Sequence, residues 1–256
     1  MKLNLLAWLL FPIVCFSAEL MPPYAQSPLD TQVISRNYYS LSYNESNEVA
    51  NWVAYHLGHF HIRGCIPRSE AFRIDPLITS GSSSPQDYLK SGFDKGHLLP
   101  AGDMKFDKEA MRDSFYMSNM TPQPAKFNRG RWSVLENLMR AWALKYQEIW
   151  IVTGPILKSE LSTIGNINRV SVPMEYFKVI LRKEGETFSG IAFLMSVDVP
   201  YQDLSSYTLS IRQLEEYSGI NFFPSLNDSE EDEIENEINL GNWDFQAKFN
   251  YLPCST

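Results

Sequence analysis

His97 is the residue whose neighbours best equip it to move a proton near neutral pH. It sits in the run from Gly92 to Met104, directly after Asp94, Lys95 and Gly96. A neutral imidazole accepts a proton from water in a range where few other side chains do. Gly96 allows close backbone packing or an unusual turn beside it. Asn128 follows in the sequence Phe127, Asn128, Arg129, Gly130. An amide oxygen suits a hard cation such as magnesium, which keeps several waters and often takes few protein ligands plus a substrate phosphate. The same oxygen could instead cap a helix N-terminus. Glu136 lies two helical turns further on. It could accept hydrogen bonds from water around such a cation or pair with Arg140 at the i,i+4 spacing. Arg140 and Arg68 are candidate phosphate clamps, because a guanidinium forks two hydrogen bonds onto phosphate oxygens. A base, a hard-metal ligand and cations together suit metal-assisted hydrolysis of a phosphodiester.

Other candidates carry less. His56, His59 and His61 have a metal-like spacing, but a strand would turn His56 away from the other two. Cys65 has no triad-like context. No phosphate-cradling glycine loop and no dinucleotide fingerprint is present.

The elements that must hold these residues mix helix and strand. Residues 31–41 and 48–55 read as short strands, the second a half-buried sheet surface. Residues 19–30 are Pro-rich and read as a loose arm, and residues 80–86 as a flexible loop. Residues 93–99 form a strand or loop carrying His97. Residues 127–146 read as a loop entering a helix, with Trp132, Leu135, Leu138, Met139 and Trp142 on one stripe. Residues 148–152 form an apolar strand. Residues 176–181 and 190–197 pair around a turn at 183–186. Residues 210–218 form a short helix stopped by Gly219, and the acidic run 228–237 is solvated. Without a strict βαβ alternation, the class is α+β.

The chain has 256 residues, 44% of them hydrophobic, which suits one globular domain. Lys2 and the apolar run 5–16 resemble an export signal over 1–18, too short and Pro-broken for a membrane span. Residues 19–256 would then be a single domain with an acidic segment at 227–238, secreted or periplasmic and with no membrane association. Cys65 and Cys254 would remain, either as a disulfide or as two thiols. Net charge is −8, which disfavours tight non-specific nucleic-acid binding by the whole surface. Residues 124–145 are locally basic, so a basic face fits on an acidic protein.

Taken in order, these blocks resemble the DNA/RNA non-specific endonuclease family, the ββα-metal (His-Me finger) nucleases. Asp94 to His97 stands at the family's Asp-Arg-Gly-His signature. Residues 114–123, 127–140 and 150–156 resemble its following blocks, so the likeness spans roughly 51–224. The resemblance implies a central, mainly antiparallel sheet flanked by helices. It implies an endonuclease acting on DNA and RNA with magnesium, or manganese, and leaving 5′-phosphate ends. His97 would be the general base and Asn128 the single protein ligand of the metal. Glu136 would orient water on the metal, Arg140 and Arg68 would contact phosphate, and Asn119 would support the site by hydrogen bonds. Lys95 departs from the family's arginine: it keeps the charge but loses the planar fork. The competing expectations are a nucleic-acid-binding protein with weakened catalysis and a phosphodiesterase acting on a smaller ester.

Overall fold

The computed structural model describes residues 25–26, 32–158, 160–185, 187–198 and 201–250. The export-signal reading of 1–18, most of the 19–30 arm and Cys254 lie outside the described residues. In chain order the elements are β1 (Gln32–Ser35), β2 (Tyr39–Asn44), β3 (Val49–Gly58) and β4 (Asp94–His97). They continue with α1 (Lys108–Asp113), β5 (Met120–Gln123), the short turn α2 (Ala125–Phe127), α3 (Ser133–Tyr146) and β6 (Glu148–Pro155). Next come β7 (Thr163–Ile164), β8 (Val170–Ser171), β9 (Glu175–Glu184) and β10 (Thr187–Ser196). The last are β11 (Thr208–Leu209), α4 (Ile211–Ser218) and α5 (Asp228–Asn236).

Seven strands form an antiparallel sheet in the order β1-β2-β3-β6-β9-β10-β11. Its two faces follow the period-2 alternation of side chains. On β6 and β9, Ile149, Ile151, Tyr176 and Ile180 face the cluster that packs against α3. Trp150, Val152, Phe177, Val179 and Leu181 face the opposite cluster, under α4 and Phe222. The α3 stripe is buried as its spacing requires, with Trp132, Leu135 and Trp142 fully covered. β4 and β5 form a separate hairpin that pairs His97 with Met120. Hairpin and α3 together make the ββα unit that the resemblance implies, on a mainly antiparallel sheet.

Several elements differ from the sequence reading. Residues 31–41 contain a turn, closed by Arg36 N–H donating to the Tyr39 carbonyl at 2.8 Å. That turn divides them between β1 and β2. β3 is buried on both faces rather than one, because β2 and β6 flank it and clusters cover both sides. The 80–86 loop is pinned: Ser82 Oγ accepts from Asp75 N–H at 2.9 Å, and Tyr43 Oη accepts from Ser83 N–H at 3.1 Å. In the expected loose arm, Gln26 is held by a bridge to Asn221 and Ala25 is buried.

The acidic run is a docked helix rather than a solvated coil. Asn227 caps α5, and Ile234 packs on Gly190, where a Cβ would meet it at 2.4 Å. Glu235 is buried beside the Arg212 guanidinium at 2.8 Å. Of the three Asn-x-Ser/Thr triplets, which begin at Asn44, Asn119 and Asn227, the first two have a buried asparagine. Among the described residues, no helix is long and apolar enough to cross a membrane.

Candidate active site

The first strand of the hairpin delivers His97 to a cavity of about 630 Å³. Gly96 is required there: a Cβ would meet the Gln123 side chain at 2.2 Å. The imidazole packs against Phe115 (4.9 Å, edge to face) and Phe72 (5.8 Å). Its Nε2 is buried with no hydrogen-bond partner, so Nδ1 is the nitrogen left to open onto the cavity. A base must present its lone pair to the reactant, and the neutral tautomer that does so carries its hydrogen on the buried Nε2. A buried polar atom left unpaired is rare enough to need a reason, and holding an imidazole neutral is such a reason. Burial, helped by the nearby Arg68 charge, pushes the His97 pKa down to about 3.

Asn128 lies where α2 ends, in a tight turn through Trp132 broken at Gly130 (φ −104°, ψ −114°). It caps no helix N-terminus, which removes that alternative. Its Nδ2 donates to Asp94 Oδ2 at 2.9 Å. Arg129 donates to both Asp94 oxygens, at 2.8 and 2.6 Å. Burial works to raise the Asp94 carboxyl, but the bonds from Arg129 and Asn128 outweigh it and hold the pKa below its ordinary value. An ionised Asp94 only accepts hydrogen bonds, so it turns the NH₂ of Asn128 inward. The amide oxygen, which accepts no hydrogen bond among the described residues, is left to the cavity side.

Glu136, Asn137 and Arg140 line the same cavity from α3. Arg140 is buried, and its Nε donates to Asp103 Oδ1 at 2.6 Å. Its other arm donates to Asn137 Oδ1 at 2.9 Å, and Glu136 Oε2 lies 3.7 Å from it. The Glu136–Arg140 pair is therefore an interior one, not a surface one. Asp103 is fully buried and also accepts from Tyr55 Oη at 3.1 Å. Burial raises the Glu136 carboxyl, while Arg140 and Lys178 pull it down; the net shift is upward.

Arg68 lines the same cavity, half exposed, bonded to Glu70 at 2.7 Å and over the Phe115 ring at 5.0 Å. Lys95 lines it as well, with Nζ 4.8 Å from the centre of the Phe72 ring. Lys105 and Arg129 add further cations. The chain as a whole is acidic, yet this cavity is lined by cations, as phosphate binding requires.

Of the residues singled out in the sequence, His97, Asn128, Glu136, Arg140 and Arg68 all line one cavity. Asn119 does not. It is buried beneath, with Oδ1 accepting from Leu99 N–H at 2.8 Å and Nδ2 donating to the Leu99 and Ser114 carbonyls. It braces the segment that follows His97. The histidine triplet makes no site: His56 bonds Glu148 at 3.0 Å and His61 Nδ1 accepts from Gly58 N–H at 2.8 Å. Among the described residues, no group of three or more His, Cys, Asp or Glu could hold a metal. Cys65 is disulfide-bonded and is no free thiol. Sequence reasoning missed Asp103 and Lys178. Each left a signal, as an acidic residue closing the run after His97 and a lysine at an inward position of an apolar strand.

The lowered histidines carry a prediction. His97 (about 3) and His61 (about 4, from burial and then His56 and His59) stay neutral in the folded protein, while in the unfolded chain they titrate near 6.5. The unfolded state then binds more protons below pH 6.5, so stability is lost as pH falls through that window. Each histidine contributes a slope of about 1.4 kcal/mol per pH unit there. His97→Phe should flatten the pH dependence of the unfolding free energy, measured with urea, between pH 6 and 4.5 by one such increment; an unchanged slope would contradict the buried neutral state.

Residues 17–229 match the profile of the DNA/RNA non-specific endonucleases. The chain belongs to that family. Among its relatives in the family, mitochondrial nuclease EXOG of Danio rerio is 33% identical over 202 residues, covering 73% of this chain and 59% of that protein. Nuclease C1 of Cunninghamella echinulata var. echinulata is 32% identical over 210 residues, 75% of this chain and 83% of its own. Among solved structures, a chain in the crystal structure of an EndoG/EndoGI complex superposes with a TM-score of 0.71 at 29% identity. That match covers 77% of this chain and 88% of the other. The chain spans less than two thirds of the EXOG proteins of Danio rerio, Mus musculus and Homo sapiens that it matches.

Proposed function

We propose that this family member is a metal-dependent endonuclease that hydrolyses phosphodiester bonds of DNA and RNA with little sequence preference. One observation supports this most. An unburied lone pair of a neutral His97 and an outward amide oxygen of Asn128 share a cavity walled by Arg68, Arg140 and Glu136.

In this reading His97 takes a proton from the attacking water at the nitrogen facing the cavity. Asn128 would hold magnesium through its amide oxygen, which suits an ion that needs few protein ligands. When bound, the ion would supply Lewis-acid stabilisation of phosphate and leaving-group oxygens. Glu136 accepts hydrogen bonds from water in the cavity, and Arg68 and Arg140 bring positive charge to the phosphate. Hydrolysis in this sense leaves 5′-phosphate and 3′-hydroxyl ends. Backbone recognition makes binding salt-dependent and weakly sequence-selective.

Supercoiled plasmid and a small aryl phosphodiester, each offered with magnesium, test the substrate class. Faster turnover of plasmid supports the endonuclease; turnover of the small ester alone supports a phosphodiesterase. Plasmid binding with no cleavage supports a binding protein.

Asp94 orients the amide of Asn128, so Asp94→Ala should raise the magnesium concentration for half-maximal rate by about 10–100-fold. Maximal rate would be partly restored at high magnesium. An unchanged magnesium requirement would remove Asp94 from the metal site.

We further propose export. Lys2 with the apolar run 5–16 and the bonded state of Cys65 support it, since disulfides persist in oxidising compartments. Cys254 is the proposed partner.

A further inference from the structure

Lys178 is fully buried, which is rare for a lysine. It sits on β9 directly opposite Thr153 of β6, both on the face that receives α3. Nζ donates to Thr153 Oγ1 at 3.1 Å and lies 4.6 Å from the centre of the Trp132 ring. Thr153 in turn donates to the Phe177 carbonyl at 2.9 Å, which fixes the lone pair it offers. Trp132 closes the turn that carries Asn128. The ammonium has one hydrogen bond, one ring and no salt bridge among the described residues. Burying a charge so sparsely is costly, and an apolar side chain of equal length would fill the space without that cost.

What justifies the charge is what it faces. The ring that Nζ lies against, Trp132, stands one helical turn before Glu136 on α3 and so on the same side of the helix. Glu136 and Asp103 are the anions that act on Lys178, and Arg140 is the cation that opposes it. Arg140 comes within 3.7 Å of Glu136, and the charges of Lys178, Asp103 and Arg68 also act on that carboxyl. Arg140 is already shared with Asp103 through a 2.6 Å bond. We propose that Lys178 is a positioning residue for the reaction: its ammonium, braced between Thr153 and the Trp132 ring, is the second buried cation that keeps Glu136 ionised beside the scissile phosphate. The proposal rests on the phosphodiester-hydrolase reading of the cavity. It agrees with the directions of the two shifts. Burial lowers Lys178 to about 8 against the pull of Glu136 and Asp103, and Lys178 pulls Glu136 down against burial.

Lys178→Met tests this with two readouts. One is kcat against pH for plasmid cleavage in saturating magnesium. The other needs no activity: a ¹³C titration of the Glu136 carboxyl in metal-free protein, assigned with Glu136→Gln. Loss of a nearby opposite charge should move both the Glu136 titration and the acid limb of kcat upward by about 1–3 pH units, with KM changed less than kcat. A rate loss uniform across pH, with the Glu136 titration unmoved, would leave Lys178 a packing residue and overturn the proposal.

Thr153→Val, close in shape, guards against a misfolded methionine variant. It removes the one hydrogen bond that fixes Nζ and should move the Glu136 titration upward, by less than Lys178→Met does; an unmoved titration would count against Lys178. Wild-type protein without turnover would sink the hydrolase reading, while the Glu136 titration would still show whether Lys178 holds that carboxylate ionised.

Discussion

Replacing His97 by alanine is expected to lower kcat for plasmid cleavage by about 10²–10⁴-fold while the protein stays folded. The magnitude is that of a lost general base, and the geometry supplies the reason. The imidazole sits between Phe72 and Phe115, with one nitrogen buried and unpaired and the other open to the cavity. The other ionisable groups named on the wall do not take its place: Arg68, Lys95, Lys105 and Arg129 are cations, and Glu136 is paired with Arg140 at 3.7 Å. The variant also separates catalysis from stability. Because neutral burial of His97 opposes folding below pH 6.5, His97→Ala should lose rate at every pH yet lose less stability on acidification than wild type. Circular dichroism and urea unfolding at pH 7 and 5, beside the cleavage assay, read both effects. A variant retaining more than about a tenth of the wild-type rate would contradict the role of base.

Asp103→Ala should be among the most destabilising single changes in the chain, by about 3–5 kcal/mol. Asp103 is fully buried, with one oxygen taken by Arg140 and the other by Tyr55. Its removal strands a buried guanidinium and a buried phenol together. Removing the partner that neutralises a buried charge costs far more than the intact pair contributes. Urea unfolding at pH 7 measures the loss. Asp103→Asn keeps the shape and one acceptor oxygen for Arg140, and its NH₂ can donate to the Tyr55 hydroxyl, so it should cost less than alanine. Equal stability of wild type and Asp103→Ala would mean that Arg140 finds another anion, Glu136 being the nearest at 3.7 Å.

The legible part of the site was the part written in short runs of sequence. Gly96 before His97, and Asn128 with Glu136 on one helical approach, lie close along the chain, so spacing alone brought them near one another. The apolar stripe of α3 likewise predicted its own burial. What could not be read depends on contacts between distant segments. Asp103 meets Arg140 37 positions away, and Lys178 meets Thr153 25 away, only because β6 and β9 are neighbours in register. The acidic run of α5 looked solvated because its charges dominate. Its docking depends on Ile234 finding Gly190, and on Arg212 supplying the charge that lets Glu235 be buried. The β1–β2 turn was hidden for a similar reason. It is held by Arg36, anchored at 2.5 Å on Asp75 from another part of the chain.

The measurement that bears most directly on the proposed chemistry is single-turnover cleavage of a labelled oligonucleotide by wild type and Asn128→Ala, with magnesium or with EDTA, followed by analysis of the product ends. The expected result is cleavage by wild type in magnesium alone, 5′-phosphate ends, and Asn128→Ala at least about 10²-fold slower, in keeping with loss of the ion's charge stabilisation. Cleavage that persists in EDTA, or an Asn128→Ala variant as fast as wild type, would contradict a metal held by Asn128 at the centre of the reaction.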